Sequence, residues 1–345
     1  MRYQQISCIL LLILLGVRLS SAQSNRRIYP IAFYNLENLY DTVKDSTIND
    51  DEFTPTGANA WTETKYQQKI KNMARAIRAI GSPASNLGPI ALGVAEIENR
   101  RVLEDLTKDP QLRDLGLKIV HHDSPDRRGV DVGFLYNPAF FTPFRDTVYP
   151  FYLPENPGFK TRDQLLVSGT IAGDTIHIIV NHWPSRYGNK SSELREFAAG
   201  ITKGICDSLY RENPEAKIIV MGDLNDDPNN KSVKEVLQAK KNPQDVPAQG
   251  LYNTMWKFYD QGIGSLGYQG QWNLFDQIII SKPLLENKNN GLRFAKAEIF
   301  NRDFLVQQEG RRGKNKGYPH RTFSGGVFIN GYSDHFPTLI YLVKQ

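Results

Sequence analysis

The chain has 345 residues, of which 40% are hydrophobic, so it can bury one large core or two small ones. Its formal net charge of +5 is a mild excess, which alone does not identify a nucleic-acid-binding protein. Residues 28–343 contain no internal repeat and no low-complexity linker. This excludes a repeat array and favours one domain with long loops.

The N-terminus has the pattern of a signal peptide. A basic residue, Arg2, precedes an apolar stretch at 9–17, and small residues lead up to Ala22, as a signal-peptidase site requires. The apolar stretch is about half the length needed to cross a bilayer. We therefore expect residues 1–22 to be removed by cleavage after Ala22. Residues 23–345 would then form a single exported domain, periplasmic or extracellular, and the alternative is an uncleaved membrane anchor.

Two helices are predicted, and each is followed by a strand that is apolar enough to be buried. The helical stretches are "KYQQKIKNMARAIRAIG" (65–81) and "SELREFAAGITKGICDSL" (192–209), and the strands are "PIALGVAE" and "KIIVMGD". Elsewhere strands come in pairs joined by turn residues, as at Gly173–Asp174. This order predicts an α+β fold with sheets inside and helices covering them. Two similar halves would form a sandwich of two sheets.

Removal of the leader would leave Cys206 as the only cysteine, so no internal disulfide is expected. Cys206 lies within the second predicted helix, where we expect it to act as a small buried apolar residue. The fold would then be stable through its core alone.

Polar residues that can bind metals or transfer protons follow or open the apolar runs. Each of these residues alone is more often a turn or cap residue, but the complete set borders strands and could meet at one rim of a sheet, where ligands bind. The set consists of Asn35, Glu96, Asp131, Asn181, His182, Asp223, Asn225, Asp276, Asp334 and His335.

The ligand types narrow the choice of metal. Carboxylate and amide oxygens without thiolates favour hard cations, and Mg²⁺ binds one or two carboxylates together with substrate phosphate. Glu96 with Asn35 and Asp334 fits that pattern, with Mn²⁺ as a substitute for Mg²⁺. Asp223 and Asn225 could serve a second ion or position a water. Zinc would require more His or Cys and ranks second.

Seven motifs carry a resemblance to a known family. In chain order they are "FYNLENLYD", "GVAEIEN", "RRGVDVGFLY", "VNHWPSR", "MGDLNDDP", "FDQIIIS" and "YSDHFP". Their order and spacing resemble the endonuclease/exonuclease/phosphatase superfamily of DNase I-like, metal-dependent phosphohydrolases, over roughly residues 28–343. The resemblance implies a four-layered α/β sandwich with two central sheets flanked by helices.

The same resemblance implies roles for individual residues. Glu96 resembles the principal Mg²⁺ ligand, assisted by Asn35 and Asp334. His335 resembles the histidine that contacts the scissile phosphate, and Asp276 resembles the carboxylate that fixes its tautomer. His182 resembles a second catalytic histidine, and Asp131 resembles its acidic partner. Asp223 and Asn225 resemble a pair that activates the attacking water.

The substrate is less determined by the sequence. "VNHWPSR" resembles secreted bacterial nucleases, and its Asn181 and Arg186 are predicted substrate contacts. The basic stretch "RRGKNKGYPHR" (311–321), with Arg311 and Lys314, would attract a polyanion. We therefore expect an exported, Mg²⁺-dependent nuclease that acts on DNA or RNA as a monomer without stable membrane association.

Two alternatives stay open. The first is an enzyme of the same superfamily acting on another ester, either a phosphatase or a phospholipid or sphingolipid phosphodiesterase. The second is a non-catalytic binding module, although Glu96, Asp223 and His335 are all present. Fold alone does not decide between them.

Overall fold

The computed structural model describes residues 27–186, 188, 191–286, 290–309 and 316–344. The predicted signal peptide (1–22) and the two predicted substrate contacts Arg311 and Lys314 lie outside the described residues. Four α-helices are present in the described part of the chain: α1 (Glu63–Ala79), α2 (Arg100–Lys108), α3 (Ser192–Glu212) and α4 (Trp256–Asp260). None of the described helices is long and apolar enough to span a membrane.

The described strands form two large sheets and two small hairpins. The strands are β1 (Arg27–Leu39), β2 (Ala91–Ile97), β3 (Lys118–His121), β4 (Asp131–Tyr136), β5 (Phe141–Tyr149), β6 (Gln164–Ile171), β7 (Asp174–His182), β8 (Lys217–Asp223), β9 (Ala239–Lys240), β10 (Leu251–Asn253), β11 (Leu266–Tyr268), β12 (Gln271–Asn273), β13 (Asp276–Ser281), β14 (Arg293–Ile299), β15 (Phe323–Ser324), β16 (Val327–Phe328) and β17 (Thr338–Lys344).

Both large sheets mix parallel and antiparallel neighbours. The six-stranded sheet has the order β14-β17-β1-β2-β4-β3, and the seven-stranded sheet has the order β5-β6-β7-β8-β13-β10-β9. At the edge of the seven-stranded sheet β9 and β10 pair in parallel. In each sheet one central pair is also parallel, β1 with β2 and β7 with β8. In both cases a predicted helix, α1 or α3, lies between the two strands in the sequence. A crossover of this kind is what allows parallel strands to pair.

Alternate residues along β7 show how the layers stack. Ile178 and Val180 belong to a core shared with the six-stranded sheet and α1, whereas Ile179 packs in a second core with α3. Because side chains alternate across a strand, the seven-stranded sheet has the other sheet on one face and α3 on the other. The α+β sandwich predicted from the sequence is confirmed.

The two sheets approach closely at Gly93 in the middle of β2. A Cβ atom at Gly93 would lie 2.7 Å from Sδ of Met221 on β8 and 3.1 Å from Cγ1 of Val180 on β7. A glycine is therefore needed at this point because a side chain would push the sheets apart. Cys206 is buried on α3, and burial raises the pKa of its thiol to about 12, which is consistent with a packing role.

We expect Gly93→Val to lower the free energy of unfolding by about 1–3 kcal/mol because the added methyl groups overpack the space between the sheets. Chemical denaturation followed by circular dichroism measures this. The matched control is Gly200→Ala on α3, where a Cβ atom meets no other atom within 4 Å. It should leave stability unchanged or raise it by about 0.5–1 kcal/mol. Equal stability of the Gly93 variant and the wild type would contradict this view of the interface.

Candidate active site

Strand register in the seven-stranded sheet places three titratable residues side by side. His182 ends β7 and pairs with Asp223, which ends the parallel strand β8. Asp223 in turn pairs with Asp276, which opens the antiparallel strand β13. The three residues therefore lie abreast at one rim of the sheet, as the positions at the strand ends predicted.

The six-stranded sheet brings its own residues to the same rim. Asn35 on β1 pairs with Ala95, the neighbour of Glu96 on the parallel strand β2. The segment that precedes β17 carries Asp334 and His335, and it is tied to β1 by a hydrogen bond of 2.7 Å from Ser333 Oγ to the carbonyl oxygen of Asn35. Each sheet thus supplies part of one site.

Asp223 is the carboxylate that joins the two halves. Its Oδ2 atom lies 3.7 Å from His182 Nε2 and 3.9 Å from His335 Nε2. It accepts a hydrogen bond of 3.1 Å from Asn35 Nδ2, so the two sheets are linked directly at this atom. His182 Nε2 also lies 3.7 Å from Glu96 Oε1. The result is a compact acidic centre with one imidazole on each side.

His335 is held as an imidazolium. Its Nδ1 atom donates a hydrogen bond of 2.6 Å to Asp276 Oδ2, and Ser265 Oγ donates to the same oxygen. Burial disfavours the charged ring, but the carboxylates of Asp276, Asp334 and Asp223 outweigh it and raise the pKa of His335 well above its usual value. The ring therefore carries a proton on Nε2 that points towards the acidic centre.

His182 has the opposite protonation state to His335. Burial, together with the charges of Arg162, Arg128 and His335, holds its pKa well below the usual value, so the ring is neutral near pH 7. Its Nδ1 atom is buried and has no hydrogen-bond partner within the described part of the chain. The two histidines of the centre thus differ in charge.

The predicted pairing of Asp131 with His182 is wrong. Asp131 opens β4, and the neighbouring antiparallel strand β3 brings His121 beside it. Asp131 Oδ2 lies 3.0 Å from His121 Nε2, and Oδ1 accepts hydrogen bonds from the backbone N–H and hydroxyl of Ser124. Both carboxylate oxygens are therefore already engaged.

The negative charge of the carboxylates in the centre is only partly neutralised by neighbouring groups, which favours a bound cation. Burial, together with the nearby charges of Asp276 and Glu96, raises the pKa of Asp223 to about 7, although His335 opposes the shift. Glu96 Oε1, His182 Nε2 and a carboxylate oxygen of Asp223 all lie within 4.8 Å of one another. A hard divalent cation at these oxygens would relieve the repulsion, so the donor set fits Mg²⁺ or Mn²⁺.

Two other predicted cation ligands are held by neighbours. Asn35 turns its Nδ2 atom towards Asp223, and its Oδ1 atom accepts a hydrogen bond of 2.9 Å from the backbone N–H of Glu37. Asp334 Oδ2 accepts a hydrogen bond of 2.8 Å from Arg321, and its Oδ1 atom lies 3.8 Å from His335 Nε2. The structure shows both beside the centre, and their role as ligands stays a prediction.

An ion network around Asp334 was missed from the sequence. Arg321 bridges Asp334 and Glu37, with its Nε atom 3.3 Å from Glu37 Oε1. Glu37 also lies 3.6 Å from the ammonium group of Lys69, a fully buried side chain on α1. Lys69 donates to Thr322 Oγ1 and to the carbonyl oxygen of Tyr332. The network ties the chain that precedes Asp334, at residues 321–322 and 332, to β1 and α1.

Asn181 does not contact substrate, contrary to the prediction. Its side chain is 0% exposed. Its Nδ2 atom donates to the carbonyl oxygens of Ile179 and Met221, and its Oδ1 atom accepts from Trp183 Nε1 and Thr202 Oγ1. The amide therefore joins β7, β8 and α3 and has no group left for a ligand.

Arg186 is likewise occupied by the protein itself. Its guanidinium donates to Asp226 at 2.9 Å and to the carbonyl oxygen of Asn225 at 2.8 Å, and it stacks over Phe275 at 4.6 Å. The structure thus gives Arg186 a structural role, and its predicted contact with substrate phosphate stays a prediction. Arg186 holds the turn that follows Asp223.

The hexapeptide "GDLNDD" (222–227) divides into a site half and a structural half. Asn225 has φ +50°, its backbone N–H donates to Asp223 Oδ1 at 2.9 Å, and its Nδ2 atom donates to the carbonyl oxygen of Trp183. Asp226 binds Arg195 and Ser232, and Asp227 accepts from the backbone N–H of Leu274. Asp223 is thus the carboxylate of this turn that faces the centre.

Comparison with known structures shows the same fold. TDP2 from D. rerio, crystallised with a single-strand DNA product, is 13% identical with a TM-score of 0.55, covering 91% of this chain and 98% of that one. A mannosyl-6-phosphatase from Bacteroides thetaiotaomicron is 13% identical with a TM-score of 0.56, covering 91% of this chain and 99% of that one. At such identities the likeness shows the fold alone.

No curated protein matches the chain in sequence. The profile of the Endonuclease/Exonuclease/phosphatase family, however, matches residues 30–344, nearly all of the described chain. The resemblance drawn from the seven motifs is thereby confirmed. The chain belongs to the endonuclease/exonuclease/phosphatase family and is a hydrolase of phosphate esters.

Proposed function

We propose that this protein is an exported, Mg²⁺-dependent phosphodiesterase that cleaves nucleic acid. The observation that carries the proposal is a pair of histidines, one on each side of Asp223, of which His182 is neutral and His335 is protonated. A diester hydrolase needs one group to accept a proton from water and another to donate a proton to an oxygen of the phosphate or leaving group. The two rings provide one of each.

His182 and His335 have different catalytic roles because one ring is neutral and the other is protonated. Neutral His182 accepts a proton at Nε2, and charged His335 donates from Nε2 while Asp276 keeps its other nitrogen protonated. Asp223 is held by Asn35 and by the backbone N–H of Asn225, so it can orient a water between the rings. A bound Mg²⁺ at Glu96 and Asp223 would supply charge neutralisation on the phosphoryl oxygens.

Basic side chains on both sides of the centre support a polymeric substrate. Arg127, Arg128 and Lys160 line a groove on the His182 side. Lys316 lines another groove on the Asp334 side, together with Arg321, which is itself paired with Asp334 and Glu37. A nucleic-acid strand carries phosphates in both directions from the scissile one, so it can use both sets. TDP2, which shares the fold, has been crystallised with a single-strand DNA product.

Export belongs to the same proposal and rests on the N-terminal pattern that ends at Ala22. Sequencing the N-terminus of the protein recovered from the periplasm or medium of the producing cell tests it. A mature chain that begins at Gln23 supports export.

We expect His335→Ala to reduce nicking of supercoiled plasmid by about 10²- to 10⁴-fold in Mg²⁺ because it removes the proton donor. Chelation with EDTA should abolish nicking by the wild type. The matched control is His122→Ala, which removes an exposed histidine paired with Asp146 away from the centre. Gel electrophoresis measures the rates, and a hexose 6-phosphate tested in parallel covers the phosphatase alternative. Nicking by His335→Ala within a few-fold of wild type would contradict the assignment.

We expect Asp276→Asn to move the alkaline limb of the pH profile of kcat/KM to lower pH. Asp276 raises the pKa of His335, and the ring must be protonated, so activity is present below this pKa and is lost above it. Removing the charge of Asp276 lowers the pKa of His335, so activity is lost at a lower pH than in the wild type. Rates on a small diester at saturating Mg²⁺ test this, and an unmoved alkaline limb would show that His335 is not the titrating acid.

A further inference from the structure

A groove of about 560 Å³ opens beside His182 between two loops. One loop joins β3 to β4 and contributes residues 126–128, and the other joins β5 to β6 and contributes residues 156 and 158–162. Ser185, after β7, completes the lining. Arg127 Nη2 donates to the carbonyl oxygen of Gly158 at 3.1 Å, so the loops are bound to each other across the groove.

The lining of the groove carries a marked excess of positive charge. It contains four cationic side chains, Arg127, Arg128, Lys160 and Arg162, and one carboxylate, Asp126. Asp126 is shared between two of the cations, 3.1 Å from Arg162 Nη1 and 3.6 Å from Arg128 Nε. Arg127 and Lys160 thus face the groove without a carboxylate partner among its lining residues.

A second observation also indicates a ligand. Thr161 lines the same groove, and its hydroxyl is buried without a hydrogen-bond partner in the described part of the chain. Most buried hydroxyls in folded proteins are hydrogen-bonded. A hydroxyl beside several cations is a suitable donor to an anionic oxygen.

Arg162 connects this groove to the catalytic strand end. Its buried guanidinium donates to the backbone carbonyl oxygens of His182 and Trp183, at 3.2 Å and 2.5 Å. One side chain that lines the groove therefore contacts the backbone of a residue of the acidic centre. This contact places the groove on the His182 side of the centre.

We propose that this groove is a binding site for a second phosphate of the substrate, the backbone phosphate of the nucleotide next to the scissile one. The inference rests on the proposed function and adds to it. A nucleic-acid strand brings such a phosphate, whereas a hexose monophosphate has no second anion to place there. The groove therefore selects polymeric diesters over small phosphate esters.

The test compares three substrates with the full chain in Mg²⁺: a thymidine dinucleotide without terminal phosphate, with a 5′-phosphate and with a 3′-phosphate. The wild type should prefer one phosphorylated form by roughly tenfold in kcat/KM, the size expected for a charge-assisted contact. In the variant Arg127→Gln/Lys160→Gln the preference should fall to about one. On a longer single strand, the slope of log KM against log salt should decrease by about 0.7 per lost contact.

The control variant is Arg113→Gln/Lys118→Gln, which removes the same two charge types. These exposed residues lie in or just before β3, at the end of that strand far from His121 and the centre. The control should keep the preference. Equal cleavage of all three dinucleotides by the wild type, survival of the preference in the groove variant, or its loss in both variants would overturn the subsite. A wild type that cleaves neither plasmid nor dinucleotide would instead overturn the proposed function, and the subsite with it.

Discussion

The mutual repulsion of carboxylates at one rim is the constraint on which the rest of the site depends. Glu96, Asp223 and Asp276 converge there from three strands, and two imidazoles lie among them. Desolvation makes such a group costly unless protons, cations or hydrogen bonds compensate it. The protein compensates part of the charge with His335 and leaves the rest at Asp223 and Glu96. That remaining negative charge would favour the binding of a divalent cation.

Long-range ion pairs hold this arrangement in place. Lys69 of α1 and Arg321 of the segment before β15 both approach Glu37, and Arg321 also fixes Asp334. Removing one partner from such a buried group would leave an uncompensated charge, which typically costs about 3–5 kcal/mol. The network therefore sets the orientation of the Asp334 and His335 segment relative to β1. Stability and catalytic geometry depend on the same contacts.

Local patterns were enough to predict most of what lies at the rim. A residue at the end of an apolar run is a residue at the end of a strand, and register then places His182, Asp223 and Asp276 abreast. The wrong predictions concern which side chains contact each other. β3 is a short, half-buried strand without an apolar run, so nothing in the sequence indicated that His121 would reach Asp131.

The same limit explains Asn181 and the ion network. The amide of Asn181 is satisfied by Met221 and Thr202, and Lys69 meets Thr322 more than 250 positions away in the chain. Contacts between distant segments depend on how the sheets and helices pack, and no spacing or periodicity in one segment reports them. Arg186 shows the same limit for a residue that was expected to contact substrate. Its position in the motif indicated a phosphate, but the neighbouring turn supplied carboxylates first.

Because the site is divided between the two sheets, its activity depends on how far the chain has folded. His182, Asp223 and Asp276 belong to one sheet, whereas Glu96 and the segment with His335 belong to the other. A chain in which a single sheet has formed holds half of the acid–base couple and part of the cation-binding oxygens. Competence for hydrolysis therefore arises only when the sandwich closes, as a property of the whole fold. A newly made chain therefore gains its activity on phosphate esters only after both sheets have formed and packed together.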